Sequence, residues 1–219
     1  MEKRLRLRFS KTGNAKFISH LDLLATMRRA LLRAGTPLQY SEGFNPHPYL
    51  SVALPLPIGC GSECELMDVG VARQFIQTEL SANMNASLPG GIGVLEVYEP
   101  NRKFSEISWV EISGVLYYDK GVPPGAAERL AERFRAGSIV VSKKTKRNTM
   151  DFDIAPFIRN VVFHENGGLI MKAAVFAQNP TINPDNLLGA LRGEYSDLAP
   201  DFASFTRMEV FDGEMNVFR

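Results

Sequence analysis

A histidine near the amino terminus has the surroundings that a general base requires. Ser19 and Asp22 form a helix-capping pattern, so we expect His20 to lie in the first turn of a helix. The positive end of a helix and partial burial both favour a neutral imidazole. Lys16, four residues earlier, would stabilise negative charge on a phosphate. This pair predicts a metal-independent ribonuclease, while the structural interpretation is a histidine hydrogen-bonded beneath residues 44–48.

The segment 41–48, which we call the 41–48 loop, has the composition of an ordered recognition loop. Two prolines restrict the backbone on both sides of His47, and Gly43 permits a positive φ. The residues that we expect to face a nucleotide base or another polar ligand are Ser41, Glu42, Phe44, Asn45 and His47. The alternative is a structural role, in which the loop is pinned across the first helix.

Basic residues are concentrated at the amino-terminal end of the chain. Residues 1–35 hold nine lysines and arginines against two acidic residues, although the net charge of the whole chain is only +1. Such a local basic surface binds phosphates with an affinity that falls as salt increases. The residues that we expect to contact RNA phosphates are Arg4, Arg6, Arg8, Arg29, Arg33, Lys143, Lys144, Lys146 and Arg147. The last four lie in a predicted hairpin turn, where lysines also serve to keep a sheet edge soluble.

The chain has two cysteines, Cys60 and Cys64, which are too few for an iron–sulfur cluster with three or four thiolate ligands. Together with His20 and His47 they would complete a tetrahedral zinc set. Because the histidines are far from the cysteines in sequence, we favour unpaired structural thiols and predict no metal site.

Acidic residues do not form an obvious catalytic pair. Glu63, Glu65 and Asp68 lie in a predicted strand, and we expect all three to be solvated. The sequence also has no phosphate-binding glycine loop, dinucleotide fingerprint or nucleophile elbow. We therefore predict no cofactor and favour a protein that is not an enzyme.

The composition is that of a water-soluble globular protein, with 45% apolar and 22% charged residues. No apolar run approaches the roughly 18–20 residues of a membrane-spanning helix, and the first residues alternate charge with leucine, unlike a signal peptide. Two cysteines cannot form a disulfide framework. These features predict a cytoplasmic protein with no membrane partner.

The expected elements of the first half follow the order β-α-β-β-α-β. Residues 3–9 alternate as a half-buried strand, and a helix follows from 20 to 34, with positions 20, 24, 27, 31 and 34 on its buried side. The remaining expected elements are a short strand at 38–40, extended segments at 50–56 and 64–69, a helix at 71–86 and a strand at 92–97. This order predicts a ferredoxin-like unit over residues 1–98 within an α+β fold.

The second half predicts a related α+β unit over residues 106–219, after a linker at 99–103. Its expected elements are strands at 109–118, 168–176 and 205–211, helices at 126–136 and 184–192, and a hairpin that pairs 138–142 with 149–154. No sequence repeat links the two halves.

Three segments of the first half carry a family resemblance: Phe-Ile-Ser-His-Leu-Asp at 17–22, Arg-Arg-Ala at 28–30, and Tyr-Ser-Glu-Gly-Phe-Asn-Pro-His-Pro at 40–48. On these motifs the chain resembles the radical-SAM-linked protein family of bacteria. The basic turn at 143–147, followed by Asp-Ile-Ala-Pro at 153–156, is similar to the same family. The sequence departs from the family at Ala155, where an arginine is expected, and at Cys60 and Cys64.

The resemblance implies an accessory protein, because family members are fused to or encoded beside radical SAM proteins. They often lie near genes for ribonuclease E/G and ribosomal proteins. We therefore expect a module that presents RNA or a ribosomal substrate to a radical SAM partner. With two cysteines, the chain is not expected to be a radical SAM enzyme itself. Two alternatives stay open: an RNA endonuclease that uses His20 and Lys16, and an adaptor that binds only protein.

Overall fold

A computed structural model describes residues 3–72, 75, 78–135, 137–144, 149–191 and 195–219. The chain divides into two compact units, one comprising Met1–Glu106 with Arg219 and the other comprising Ile107–Phe218. Each unit combines helices with a mainly antiparallel sheet. The predicted α+β class is therefore confirmed.

The first unit contains four strands and two helices. These are β1 (Lys3–Lys11), α1 (His20–Arg33), β2 (Leu50–Val52), β3 (Gly61–Val71), α2 (Leu80–Asn85) and β4 (Ile92–Tyr98). The strand order is β4-β1-β3-β2, and every neighbouring pair is antiparallel. The two longest partners, β1 and β3, therefore occupy the centre of this sheet.

The alternation of β1 separates the two faces of the sheet. Leu5, Leu7 and Phe9 are fully buried in a core that also contains Met27 and Leu31 of α1. Because successive side chains of a strand point to opposite faces, the arginines between these residues lie on the other side of the sheet. We call that side the outer sheet face; it carries Arg4, Arg6 and Arg8 of β1, Asp68 and Gly70 of β3, and Ser51 of β2.

Helix α1 begins where the sequence predicts. The Ser19 side chain accepts a hydrogen bond from the backbone N–H of Asp22 at 3.1 Å and so caps the helix. Its buried residues are Leu23, Met27, Ala30 and Leu31. The predicted buried positions 20, 24 and 34 are only half-buried, because the contact face is rotated toward positions 23 and 30.

Three other predicted elements of this unit differ in extent. The predicted helix at 71–86 is observed only as α2, since residue 71 still belongs to β3 and residues 73, 74, 76 and 77 lie outside the described ones. The segment predicted as extended to residue 56 ends at Val52, and a positive φ of 45° at Leu54 turns the chain. Residues 38–40 form only isolated bridges, Leu38 with Val71 and Tyr40 with Pro48.

The second unit contains β5 (Trp109–Tyr117), α3 (Ala126–Arg135), β6 (Val140–Lys144), β7 (Thr149–Asp153), β8 (Ile158–Glu165), β9 (Leu169–Phe176), α4 (Pro184–Gly189) and β10 (Phe202–Phe211). Strands β6 and β7 pair with each other, which confirms the predicted hairpin. The other strands follow the order β10-β5-β9-β8, again antiparallel throughout. If the β6–β7 hairpin is set aside, the two units have the same strand order. In each sheet the last strand of the unit lies beside the first, followed by the third and then the second.

Strand β8 was not expected from the sequence. Asn160 has a positive φ of 53°, and the pairing with β9 shifts between Arg159 and Val162. Such a bulge breaks the alternation of apolar and polar residues on which a strand prediction depends. The helix predicted at 184–192 is shorter than expected, since α4 ends at Gly189 with Ala190 as its C-cap. The predicted end of the other helix, residue 136, lies outside the described residues.

Candidate functional site

An open groove of about 1120 Å³ runs along the outer sheet face of the first unit. Arg4, Ser51, Asp68 and Gly70 contribute its floor, one from β1, one from β2 and two from β3. Residues 99–104, which follow β4, form one wall. The residues at the end of the groove are Gln39, His47, Pro48 and Tyr49. The groove therefore brings together one predicted phosphate contact, Arg4, and one predicted ligand residue of the 41–48 loop, His47.

The end of the groove is built on Gly70. Its N–H donates to the carbonyl of Tyr49, and its carbonyl accepts from the N–H of Gln39, each at 2.9 Å. A Cβ at Gly70 would lie 3.0 Å from Cβ of Tyr49 and 3.1 Å from Oε1 of Gln39, closer than ordinary contact allows. The absence of a side chain at Gly70 thus lets the backbone that carries the 41–48 loop pack directly against β3.

The 41–48 loop is the tip of a narrow hairpin. The N–H of Ser41 donates to the carbonyl of His47 at 2.9 Å, and the N–H of His47 donates to Oγ of Ser41 at 3.1 Å. Between these two residues, Phe44 extends entirely into solvent, with a relative exposure of 112%. Tyr40 and Tyr49, which flank the loop, are each 45% exposed. The loop therefore presents aromatic rings on a backbone that its own hydrogen bonds hold in place.

The Ser41 hydroxyl and the His47 imidazole lie close enough to suggest a nucleophile and its base, since Oγ and Nδ1 are 2.9 Å apart. The same Oγ accepts the backbone N–H of His47, and the same Nδ1 lies 3.5 Å from the carbonyl of Asn45. A catalytic base needs a third group that orients its ring. Within the described part of the chain, no carboxylate forms a hydrogen bond with the His47 imidazole. These contacts close the loop rather than activate the hydroxyl.

Arg6 is fully buried, which corrects the expectation that its guanidinium is available to RNA. Its Nε and Nη2 donate to the two carboxylate oxygens of Asp68 at 2.7 and 2.9 Å, a bidentate ion pair. Nη2 also donates to the carbonyl of Arg102 at 2.9 Å, and the Phe104 ring centroid lies 4.3 Å from the guanidinium carbon. Arg6 thus joins the sheet to the wall of the groove.

The wall itself is held by two further acidic side chains. Glu106 accepts the N–H of Lys103 at 2.7 Å and Nε of Arg102 at 3.0 Å, and these bonds lower the pKa of its carboxyl. Glu99 pairs with Lys3 at 2.9 Å. Beside Arg6 on the outer sheet face, burial raises the pKa of Tyr98, although the positive charges of Arg6 and Arg219 oppose this effect.

Two cations of the groove are exposed: Arg4 on the floor and Lys103 on the wall. Neither side chain has a hydrogen bond or ion pair with a described residue. The other two, Lys3 and Arg102, are bound to Glu99 and Glu106. The groove therefore offers two positive charges to an anion.

The other predicted phosphate contacts are not among the residues that line this groove. Arg8 lies further along β1, with its guanidinium 3.7 Å from Glu96. Arg29 and Arg33 are exposed on α1, which packs against the opposite face of the sheet. Lys143 and Lys144 belong to β6 in the second unit, whereas Lys146 and Arg147 lie outside the described residues.

The remaining candidates do not form a site with one another. His20 is half-buried and its imidazole has no hydrogen bond to a described residue, so it is not bonded beneath the 41–48 loop either. Lys16 Nζ lies 5.1 Å from the Phe17 ring centroid. Cys64 is buried and Cys60 is half-buried. Among the described residues, no group of three histidine, cysteine or acidic side chains is arranged to hold a metal ion.

Two of the acidic residues expected to be solvated are not. Glu65 is 1% exposed, and Asp68 is the partner of Arg6. Glu63 is exposed, as predicted. Sequence reasoning also missed Lys103, Tyr49 and Gln39, because nothing in their local pattern shows that the 99–104 segment and the hairpin lie on the same sheet face.

A family model described as "uncharacterized protein conserved in bacteria" (DUF2344) matches residues 4–184. No curated protein matches the sequence. A chain in a structure titled "Crystal Structure of a Cbf5-Nop10-Gar1 Complex" is similar in fold, with a TM-score of 0.50 and 10% identity over 94% of this chain. The match spans 48% of that chain, about half its length.

A second structure, of an unknown protein from Galdieria sulphuraria, is 11% identical and covers 94% of this chain and 99% of its own, but its TM-score of 0.28 is too low to indicate a common fold. No helix in the described ranges is both long enough and apolar enough to cross a bilayer.

Proposed function

This chain belongs to the bacterial DUF2344 family, and from that premise we propose that it is a non-catalytic accessory module that binds RNA in the groove of its first unit. The observation that carries the proposal is the combination of two exposed cations, which make no ion pair with a described residue, and exposed rings in and next to the same groove. Arg4 and Lys103 border the groove, Tyr49 lies at its end, and Phe44 extends from the loop that is rooted there.

This combination favours single-stranded RNA over a duplex. Proteins bind unpaired nucleic acid by combining positive charge along the backbone with aromatic side chains on which the bases stack. A duplex hides the faces of its bases, so Phe44 and the neighbouring tyrosines would have nothing to stack on. An unpaired segment of RNA, either free or within a ribosomal particle, fits both features.

We further propose that both units are ferredoxin-like and that the bound RNA is presented to a radical SAM partner. The strand order of last, first, third and second, antiparallel throughout each sheet, supports the first part. The second part rests on the motif at residues 40–48, which resembles the radical-SAM-linked protein family. The motif forms the most exposed part of the site, where a second protein could reach the bound RNA.

The ribonuclease alternative depends on His20, which the fold separates from the groove. His20 begins α1, and α1 packs on the face of the sheet opposite to Arg4 and Asp68. A cleavage site at His20 would therefore need RNA bound on that other face. A binding module needs RNA only in the groove and not on the opposite face of the sheet, and for this reason we prefer it.

The test is the affinity for a fluorescently labelled single-stranded RNA across a series of salt concentrations, with the same samples run on a denaturing gel. We expect affinity to fall steeply with salt and the RNA to stay intact. The double variant Arg4→Gln/Lys103→Gln should reduce the slope of log affinity against log salt by up to about 1.4, since each phosphate contact to a single strand contributes about 0.7.

The matched control is Arg29→Gln/Arg33→Gln, which removes the same number of charges from α1 and should leave the slope unchanged. Absence of binding at low salt would refute the RNA proposal. Cleaved RNA that becomes intact with His20→Ala would establish the ribonuclease instead. A control variant that reduces the slope as much as Arg4→Gln/Lys103→Gln would move the binding surface to α1.

A further inference from the structure

Helix α1 exposes a stripe that the first unit leaves uncovered. Leu21 is 75% exposed and Leu32 is 48% exposed, although the helix already buries four other residues in the core. Between them lie Ala25 and Arg28, so the stripe follows the spacing i, i+4, i+7, i+11 along one side of the helix. Leu21 and Leu32 are about 16 Å apart along the axis, at 1.5 Å per residue. We call these four residues the α1 stripe.

Three exposed side chains in and beside the α1 stripe are positively charged. Arg28, Arg29 and Arg33 are exposed, and none of them makes an ion pair with a described residue. The acidic residue of the helix, Asp22, is engaged at the cap, where its carboxylate accepts the hydroxyl of Ser19 at 2.7 Å. The stripe therefore combines two leucines and an alanine with the positive charge of Arg28, and Arg29 and Arg33 add positive charge beside it.

We infer that the α1 stripe is the docking surface for an acidic amphipathic helix of a partner protein. Residues three and four apart on one helix form a ridge, and the small side chain of Ala25 leaves a gap between the two leucines into which an apolar residue of a second helix fits. Glutamate or aspartate residues flanking that partner's apolar positions would pair with the three arginines.

The same charges make a second copy of this chain an unsuitable occupant. A symmetric dimer formed through α1 would bring together two surfaces that each carry Arg28, Arg29 and Arg33 but only one acidic residue of the helix, so a second copy supplies too few carboxylates to balance the arginines. The inference also does not depend on RNA binding in the groove, because α1 and the groove lie on opposite faces of the sheet. Failure of one proposal therefore leaves the other standing.

The test uses the full chain and a synthetic acidic peptide of about 18 residues, five helical turns, with leucines on one side and glutamates flanking them. We expect the peptide to bind and its affinity to fall with salt. Leu21→Gln/Leu32→Gln and, separately, Arg28→Glu should each weaken binding at least about tenfold, since the first removes both apolar contacts of the stripe and the second reverses a charge within it. Because all three side chains are exposed, these variants should fold normally.

The matched control is Leu95→Gln, which removes a leucine of β4 that is 49% exposed and lies outside α1. It should leave peptide affinity unchanged, and Leu21→Gln/Leu32→Gln should leave RNA affinity unchanged. The inference is overturned if the acidic peptide does not bind, if a peptide with lysine in place of glutamate binds equally well, or if Leu21→Gln/Leu32→Gln has no effect. It is also overturned if Leu21→Gln/Leu32→Gln keeps its affinity for the acidic peptide but, compared with the unmodified protein, loses affinity for RNA or for vesicles of phosphatidylcholine and phosphatidylglycerol.

Discussion

Replacing Asp68 with alanine is expected to lower the free energy of unfolding by about 3 kcal/mol, the lower end of the range of about 3–5 kcal/mol found when one partner of a buried ion pair is removed. The reason is that Arg6 has no exposed surface, while the carboxylate that receives two of its N–H groups would be gone. The positive charge would then remain in the protein interior without the bidentate carboxylate, although the carbonyl of Arg102 and the Phe104 ring still contact it. Urea denaturation of Asp68→Ala and the unmodified protein measures the difference.

The matched control is Glu96→Ala, which removes a carboxylate that pairs with Arg8 and, at 3.9 Å, with Arg219. The pair with Arg8 is 3.7 Å apart, and the Glu96 side chain is 48% exposed, so its loss should change stability by no more than about 1 kcal/mol. The double variant Arg6→Met/Asp68→Leu removes both charges and should recover most of the stability that Asp68→Ala loses. A loss below about 1 kcal/mol for Asp68→Ala would show that Arg6 is not dependent on this carboxylate.

Replacing Phe44 with alanine is expected to weaken binding of single-stranded RNA about tenfold, because stacking of one base on an aromatic ring contributes about 1–3 kcal/mol. Stability should change by less than about 0.5 kcal/mol, since the ring is completely exposed and its removal leaves no cavity. The measurement is RNA affinity at fixed salt, accompanied by a denaturation curve for each variant.

Phe17→Ala is the control for this second prediction. Phe17 is an exposed ring of the same unit, with a relative exposure of 58%, but it precedes α1 and does not line the groove. Its removal should leave RNA affinity unchanged. Equal loss of affinity in the two variants would indicate that rings anywhere on the surface contribute, and it would contradict a specific role for the 41–48 loop.

The local elements of this protein could be predicted because their signals are local. The cap of α1 depends on Ser19 and Asp22, which lie three residues apart, and the alternation of β1 specifies which of its side chains enter the core. Strand β8 lacked such a signal because the backbone at Asn160 interrupts its alternation. The β6–β7 hairpin, by contrast, could be predicted because it does have a local signal: segments with apolar residues lie on both sides of a short basic stretch of sequence.

The environment of Arg6 could not be predicted, because it depends on residues far away in the sequence. Alternation correctly assigns Arg6 to the outer sheet face, and an outer face is normally solvated. Here Asp68, 62 residues later, neutralises the charge, and Arg102, 96 residues later, covers it. A local pattern contains neither contact, so the sequence alone suggested an RNA contact where the structure has a buried ion pair.

The candidate site was predictable in part for the same reason. The 41–48 loop and Arg4 each have a local signature, and the structure brings His47 and Arg4 into one groove. Lys103 belongs to a segment that the sequence predicts to be a linker. The structure shows why that segment crosses the sheet, because Arg6 donates to the carbonyl of Arg102 and lies over the Phe104 ring, and Lys3 pairs with Glu99. The predicted basic surface therefore divides between the groove, α1 and the second unit.

Photo-crosslinking identifies where on the protein the RNA lies. The full chain is bound to a single-stranded RNA that contains 4-thiouridine, irradiated, digested with protease, and the crosslinked peptides are identified by mass spectrometry. We expect crosslinks on peptides that contain Phe44, Tyr49 or Lys103, the groove and its loop. Crosslinks confined to α1 around Arg29, or to residues 143–147, would place the RNA outside the groove and contradict the proposal.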